Sequence, residues 1–456
     1  MKKNYIFLAL MSLIASSAFA GGLLTNTNQS VHFLRNPASD ASTDIDAVYA
    51  NPAGLTFLTD GMHLSLSNQS AFQTRTITST FAPFAMNNAG SPTKTYVGEA
   101  SAPIIPSFQL AYKMDKWVIS GSFAVTGGGG KAVFNKGLPS FESQIAMLPL
   151  LVSSNGVPTT AYSVNGYMEG SQFIFGLQLN GSYKITEALS GALGFRLNMV
   201  SNAYKGHLTD IMINPAHPLI NPTAAMMSAS AFFTAAGDAT HAAATADKYL
   251  ECTQSGWGVT PIVSLNYHLD NLNLSAKYEF KSSLNIENKT TVDNTGLYAD
   301  GVNTPNDIPA FLSVGAKYNV SDKWNVSGGY HHFFDSDAKM ANNKQQYING
   351  GINEYLFGSE YKLNEQFLVS AGAQITRTGV TDAYQSDMSF SLNSYSIGFG
   401  GAMNITSDLR LNIAYFFTNY SNWTKASTNY NGTTLAGTDV YSRTNKVFGI
   451  GLDYKF

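Results

Sequence analysis

Cysteine is all but missing from this chain: Cys252 is the only one among 456 residues. No internal disulfide can form, so backbone pairing and packing must hold a protein of this size together. Charge is scarce as well. Asp, Glu, Lys and Arg make up 12% of the residues, about half the share found in an average soluble domain. The formal net charge of −3 leaves no basic surface, which excludes a nucleic-acid binder. Past the opening segment, nothing approaches a run of about 18 apolar residues, so no transmembrane helix is expected. Aromatic side chains, by contrast, reach 12% of the total.

The opening "MKKNYIFLALMSLIASSAFAGG" holds the one apolar stretch. Lys2 and Lys3 form a positive start, Ile6 to Ile14 an apolar middle, and Ala18-Phe19-Ala20 a small-x-small cleavage site. The apolar part falls short of the ~20 residues that span a bilayer. Residues 1–20 therefore read as a cleaved bacterial secretory signal.

Six near-repeats follow: "AYKMDKWVI", "SYKITEALSG", "NYHLDNLNL", "KYNVSDKWNV", "EYKLNEQFLV" and "AMNITSDLRL". Each places an apolar or aromatic residue before a short polar turn and an alternating segment after it, which is a hairpin signal. Tyr112, Tyr183, Tyr267, Tyr318 and Tyr361 share the apolar parity of their strands, as do Trp117, Trp324 and Phe367 just past the turns. Aromatics repeated at one depth beside short turns form a girdle at a membrane interface.

The flanking segments alternate in the same sense. Leu189, Leu193, Phe195 and Leu197 oppose Arg196 and Asn198; Leu409, Leu411, Ile413 and Tyr415 oppose Arg410 and Asn412. The closing "KVFGIGLDYKF" puts Phe448, Ile450, Leu452, Tyr454 and Phe456 on one face. Apolar-out and polar-in is what lipid requires, and strands in hydrocarbon must close so that no backbone group is left unpaired. Six hairpins, a strand from Met62 and the final strand give an all-β transmembrane antiparallel barrel of about 14 strands. It spans residues 61–456, with both ends on the periplasmic side.

Such a barrel is too wide for its own side chains to fill. Residues 21–60 lack the alternation and precede the first strand, so they are the natural plug, or hatch. Long outer loops are expected at about 126–169 and 205–254. The second carries an Ala- and Met-rich stretch that reads as one or two helices after Asn221-Pro222. The first contains "SFESQIAMLPLLVSS". Apolar segments at an outer surface read either as a self-packed cap or as a landing place for an apolar ligand.

Within residues 21–60, Asn51-Pro52-Ala53-Gly54-Leu55 follows "DAVYA". In this position, ahead of about fourteen strands, the segment resembles the hatch motif of FadL-type outer-membrane transporters for long-chain fatty acids and hydrocarbons. The resemblance implies capture of an apolar ligand by the loops, passage to a pocket beside the hatch, and lateral exit through a kink in the third strand. Gly127, Gly128, Gly129 and Gly130 lie where that kink belongs; glycines in a strand mark a bulge or a close backbone approach, and glycine runs also end strands as loops. A carboxylate head would need an inward cation. Arg196 near mid-depth and Arg410 nearer the periplasm are candidates, with lumen solvation and wall pairing as the other reading of both.

An enzyme is not expected, since no G-x-S-x-G occurs and His331-His332 has no nucleophile pattern nearby. This histidine pair reads as part of the outer rim, without metal-ligand spacing. Cofactors and metals are expected to be none. A general diffusion porin and a structural or adhesive barrel are the alternatives. Expected partners are a hydrophobic small molecule, outer-membrane lipid and lipopolysaccharide, and the barrel assembly machinery during insertion. Nucleic acid is excluded, and a monomer in the Gram-negative outer membrane is expected.

Overall fold

Side-chain parity decides which way the wall faces. Along the closing strand Phe448, Ile450, Leu452 and Tyr454 are exposed while Val447 is fully buried, because successive residues of a strand point to opposite faces. The structure is a computed structural model and describes residues 23–456. The expected signal, residues 1–20, lies outside the described residues.

Short helical pieces come first: α1 (Val31–Arg35), α2 (Ala47–Ala50) and a 3-10 turn over Pro52–Phe57. The wall then begins with β1 (Gly61–Phe81), β2 (Thr93–Met114) and β3 (Trp117–Phe134). Helices α3 (Pro139–Ala146) and α4 (Leu148–Ser154) precede β4 (Tyr162–Lys184) and β5 (Leu189–Ile213). A two-residue β6 (Met227–Ser228) leads to α5 (Ala229–Ala235), α6 (Ala239–Ala244) and β7 (Lys248–Leu269). Next come β8 (Leu272–Glu279), β9 (Asn285–Asp293), β10 (Asn303–Pro305), β11 (Phe311–Asn319) and β12 (Trp324–Phe333). The chain closes with β13 (Asn353–Lys362), β14 (Phe367–Arg377), β15 (Ser394–Asn404), β16 (Leu409–Tyr420), β17 (Trp423–Ser427) and β18 (Gly437–Lys455).

All pairings in the wall are antiparallel, and β1 pairs with β18 to close the cylinder. Two wall strands are each broken into two pieces. β7 pairs with β8 up to Ile262↔Glu279 and then with β9 from Ser255↔Glu287, while β10 and β11 pair in turn with β9 and β8. With β6 and β17 as short additions, the barrel has 14 strands. Tyr112, Tyr183, Tyr267, Tyr318, Tyr361, Trp117, Trp324 and Phe367 are all exposed. They ring the end of the barrel that carries the short turns, as the girdle requires.

The wall is taller on one side. β4 and β5 run for 23 and 25 residues, whereas β12 and β13 have 10 each, and about 9–11 tilted residues suffice to cross a bilayer. The long strands therefore continue past the lipid, and their outward faces change accordingly. On β5, Leu193 and Phe195 give way to Ser201, Ala203 and Lys205. The expected loop limits of 126–169 and 205–254 fall inside these extensions: the loops proper are 135–161 and 214–247. Once the outside is water, the alternation reverses, with polar residues outward and Tyr204, Ile211 and Ile213 buried inward.

The outer loops fold inward as a cap. Ile145, Leu148 and Val152 of α3 and α4, with Phe232 and Phe233 of α5, are buried in one apolar cluster with Phe84, Tyr162, Ile213 and Tyr441. The Ala-rich stretch does form two helices, yet α5 starts only at Ala229. The residues after Asn221-Pro222 make a turn instead, with Asn221 Nδ2 donating to the Ala225 carbonyl and Ala224 at a positive φ of 51°.

Candidate functional site

The hatch motif is a set of hydrogen bonds between a short helical turn and the inner wall. Pro52 begins the 3-10 turn, where its missing N–H has no helical partner to lose. The Pro52 carbonyl accepts from Ser182 Oγ of β4 at 2.7 Å, and the Ala53 carbonyl accepts from Ser190 Oγ of β5 at 2.7 Å. Asn51 Nδ2 donates to Asn266 Oδ1 of β7 at 2.7 Å and to the Ser42 carbonyl at 3.0 Å. Asn51 is fully buried. Gly54 is required by closeness: a Cβ there would collide with the Asn51 amide and the Ser42 carbonyl.

Charge pairs lock the rest of the hatch. His32 Nε2 lies 2.9 Å from Asp453 Oδ2 of β18, and Arg35 pairs with Glu360 of β13. Asp40 accepts from Ser313 Oγ at 2.6 Å and lies 2.7 Å from His331 Nε2, whose Nδ1 is 2.9 Å from Glu354. His331, expected at the outer rim, is buried and points into the bore. A chain of groups that are charged and mutually bonded is costly to break one partner at a time.

Near its start the segment runs along the inside of β3, where the wall is not sealed. β2 and β3 pair at Ser101↔Lys131 and again at Ser107↔Ala124, with a register break between. Residues 102–106 of β2 include Pro103 and Pro106, which have no N–H to give to a ladder. Opposite them Gly127 to Gly130 lie within β3, with bulges against β4 and positive φ at Gly128 (72°) and Gly130 (128°). The glycine run is thus a distorted strand and not a terminal loop. The hatch supplies bonds that β2 does not: Asn26 N–H donates to the Thr126 carbonyl at 2.8 Å, and Asn26 Nδ2 to the Gly128 carbonyl at 2.9 Å. A side chain at Gly127 would strike the Leu24 carbonyl.

No family model and no curated protein sequence matches this chain. Solved structures do. A Pseudomonas aeruginosa FadL homologue matches with a TM-score of 0.66 at 14% identity, over 96% of this chain and 100% of that one. The P. putida toluene transporter TodX matches with a TM-score of 0.54 at 16% identity, over 91% and 95% of the two chains. The Ralstonia pickettii toluene transporter TbuX gives 0.54 at 14% identity, over 94% and 99%. The fold is FadL-type.

In this FadL-type barrel the two expected lumen arginines both face protein carboxylates. Arg196 donates to both oxygens of Glu279, at 2.7 and 2.8 Å, and to Gln178 Oε1 at 2.7 Å. Its guanidinium and the Lys277 ammonium lie 4.9 and 4.3 Å from the Tyr49 ring of α2, and Lys277 also donates to the Tyr49 carbonyl at 2.7 Å. Arg410 donates to Asp44 of the hatch at 2.9 Å and to Asn404 at 3.0 Å. Geometry makes both of them struts between hatch and wall. Their position on the inward parity was legible; their partners, up to 366 residues away in sequence, were not.

At the outer rim, Asp335 accepts from the Ile352 N–H at 3.0 Å. It is fully buried, and that burial pushes its carboxyl up to about 7.

Proposed function

We propose that this chain is an outer-membrane transporter for hydrophobic small molecules, long-chain fatty acids or hydrocarbons, whose hatch gates the bore and whose cargo leaves sideways between β2 and β3. The observation that carries this reading is the coincidence of two features: a bore filled by the chain's own buried segment from Leu23 to Thr56, and an unpaired stretch of wall that the same segment covers. An apolar solute gains nothing from a water-filled exit but gains its full transfer free energy on entering lipid, about 25 cal/mol per Å². A gap at membrane depth is therefore the downhill way out.

The toluene transporters among the matched folds support an apolar cargo. A general diffusion porin needs an open bore, which the buried hatch occupies. In this reading the protein works as a monomer, is inserted by the barrel assembly machinery, and stands among phospholipid and lipopolysaccharide. The apolar cap over the bore is the point of capture.

The test is a reversible lock. Asn26→Cys with Thr126→Cys, whose backbones are joined at 2.8 Å, in a Cys252→Ser background, joins the hatch to the kinked strand. Uptake of a radiolabelled fatty acid and of toluene by cells carrying this variant should stop under oxidising conditions and return with reductant. Uptake that continues with the lock closed contradicts exit past the hatch at β3.

A further inference from the structure

Where the wall rises past the lipid, its outer surface is not smooth. A groove of about 730 Å³ crosses the outward faces of β3, β4, β5 and β7, lined by Lys131, Glu169, Lys205 and Glu251 and, farther out, by Tyr167, His207 and Tyr249. On β4, β5 and β7 these residues share the parity of Phe175, Met199 and Trp257, which pair across the same strands lower down. The groove therefore faces the surrounding membrane and not the bore.

Its height is set by Trp257. This residue is 69% exposed and directly opposite Met199, and a tryptophan on the lipid face marks the interface. Lys205 is six residues beyond Met199 on β5. At about 3.3 Å per residue and a tilt of roughly 40°, it stands ~15 Å above that level. The headgroup layer of a phospholipid leaflet is only about 5–8 Å deep. A phospholipid headgroup does not reach the groove; a saccharide headgroup does.

The chemistry of the groove suits a sugar that carries phosphate. Lys131 pairs with Glu169 at 2.7 Å. Lys205 stands between Glu169 and Glu251 on the flanking strands, is exposed, and among the described residues makes no ion pair. Lys289 adds an exposed ammonium on β9, opposite Thr253. Above this charged tier the Tyr167 and His207 rings lie 5.4 Å apart and 14° from parallel, with Tyr249 at 6.4 Å from His207. Ammonium groups take phosphate, and carboxylates accept from hydroxyls. Aromatic faces, negative at their centres, take the C–H face of a sugar ring.

Wetting a tall wall needs none of this. The neighbouring tall strands β1, β2 and β18 show threonines outward: Thr74, Thr78 and Thr80 meet Thr444, Thr95 and Thr93.

We propose that this groove binds the phosphorylated saccharide headgroup of one lipopolysaccharide molecule of the outer leaflet. The lysines hold its phosphates, the three rings hold its core sugars, and its acyl chains descend along Trp257 and Met199. The site lies outside the bore and is independent of the cargo. Lys131, opposite Ser101, also stands at the outer end of the β2–β3 register break, so the bound molecule borders that seam.

The test uses the full-length protein in phospholipid nanodiscs, freed of lipopolysaccharide and titrated with fluorescent rough lipopolysaccharide, which keeps the core sugars. It should bind at least tenfold more tightly than fluorescent phosphatidylglycerol. Lys131→Ala with Lys205→Ala should weaken it about tenfold, the loss of two charge-assisted contacts. Lys446→Ala, at an exposed lysine of β18 outside the groove, should change it less than twofold. Tyr167→Ala with His207→Ala should weaken rough lipopolysaccharide severalfold and leave lipid A, which lacks the core, unchanged. Heat-modifiable migration on gels reports whether each variant is a closed barrel. If the double lysine variant does not fold, Lys205→Ala alone decides. Binding no tighter than that of phosphatidylglycerol, or lysine variants within twofold of wild type, overturn the proposal. Equal losses for lipid A and rough lipopolysaccharide overturn the role given to the rings.

Discussion

Arg196 of β5 and Glu279 of β8 are joined by two parallel hydrogen bonds of 2.7 and 2.8 Å, one strand apart across β7, and the Tyr49 ring of the hatch rests 4.9 Å from the guanidinium. Both side chains are buried. This pair, with Lys277, is the charged floor on which α2 sits.

Removing Glu279 leaves Arg196 and Lys277 as uncompensated buried cations. Glu279→Ala should destabilise the barrel by about 3–5 kcal/mol, read as a lowered denaturant midpoint in detergent. Glu279→Leu with Arg196→Met and Lys277→Met should recover most of that loss, because replacing all the charges by apolar groups of similar volume is close to neutral. A triple variant no better than the single one contradicts this account of the cluster.

The hatch motif carries a separate prediction. Asn51→Ala removes the bonds to Asn266 and to the Ser42 carbonyl, costing about 1–3 kcal/mol at a buried site. That loss loosens the turn from the wall without unfolding the barrel. Brief openings should appear in planar-bilayer recordings over a closed baseline. A trace indistinguishable from wild type argues against Asn51 as an anchor.

Membrane depth is tested from outside. Leu193 is 72% exposed within the apolar belt, so Leu193→Arg should cost about 2–4 kcal/mol on folding into lipid. On the same strand, Ala203→Arg lies beyond the belt and should cost close to nothing. Equal effects at the two positions contradict the assigned boundary.

Asp335 supplies the pH dependence. Its folded pKa, about 7, lies above the unfolded value because burial disfavours the charge. The associated stability is therefore fully present below about pH 4 and is lost as pH rises through about 7. Each pKa unit amounts to about 1.4 kcal/mol. Asp335→Asn should flatten this part of the stability profile between pH 4 and 8. An unchanged slope places the titration elsewhere.

Strand direction and girdle were legible because lipid imposes a period of two: Tyr112, Tyr183 and the other turn tyrosines sit where parity puts them. The number of wall strands was legible too, although two of them are broken. Strand ends were not, since above the lipid the outward face of β5 meets water while Tyr204, Ile211 and Ile213 turn inward to the cap, and Lys205 looks like loop. The hatch contacts depend on residues hundreds of positions apart, which periodicity cannot encode. The seam at β2 had one local signal, Pro103 and Pro106 across from the glycine run, whose meaning needs the register.

The central claim is a cylinder stoppered by its own leading segment. Single-channel conductance of the intact protein, set against a form lacking residues 23–60, tests it most directly. The account predicts a closed baseline for the intact chain and a large steady conductance once the segment is removed. A large steady conductance from the intact protein, unchanged by the deletion, contradicts it.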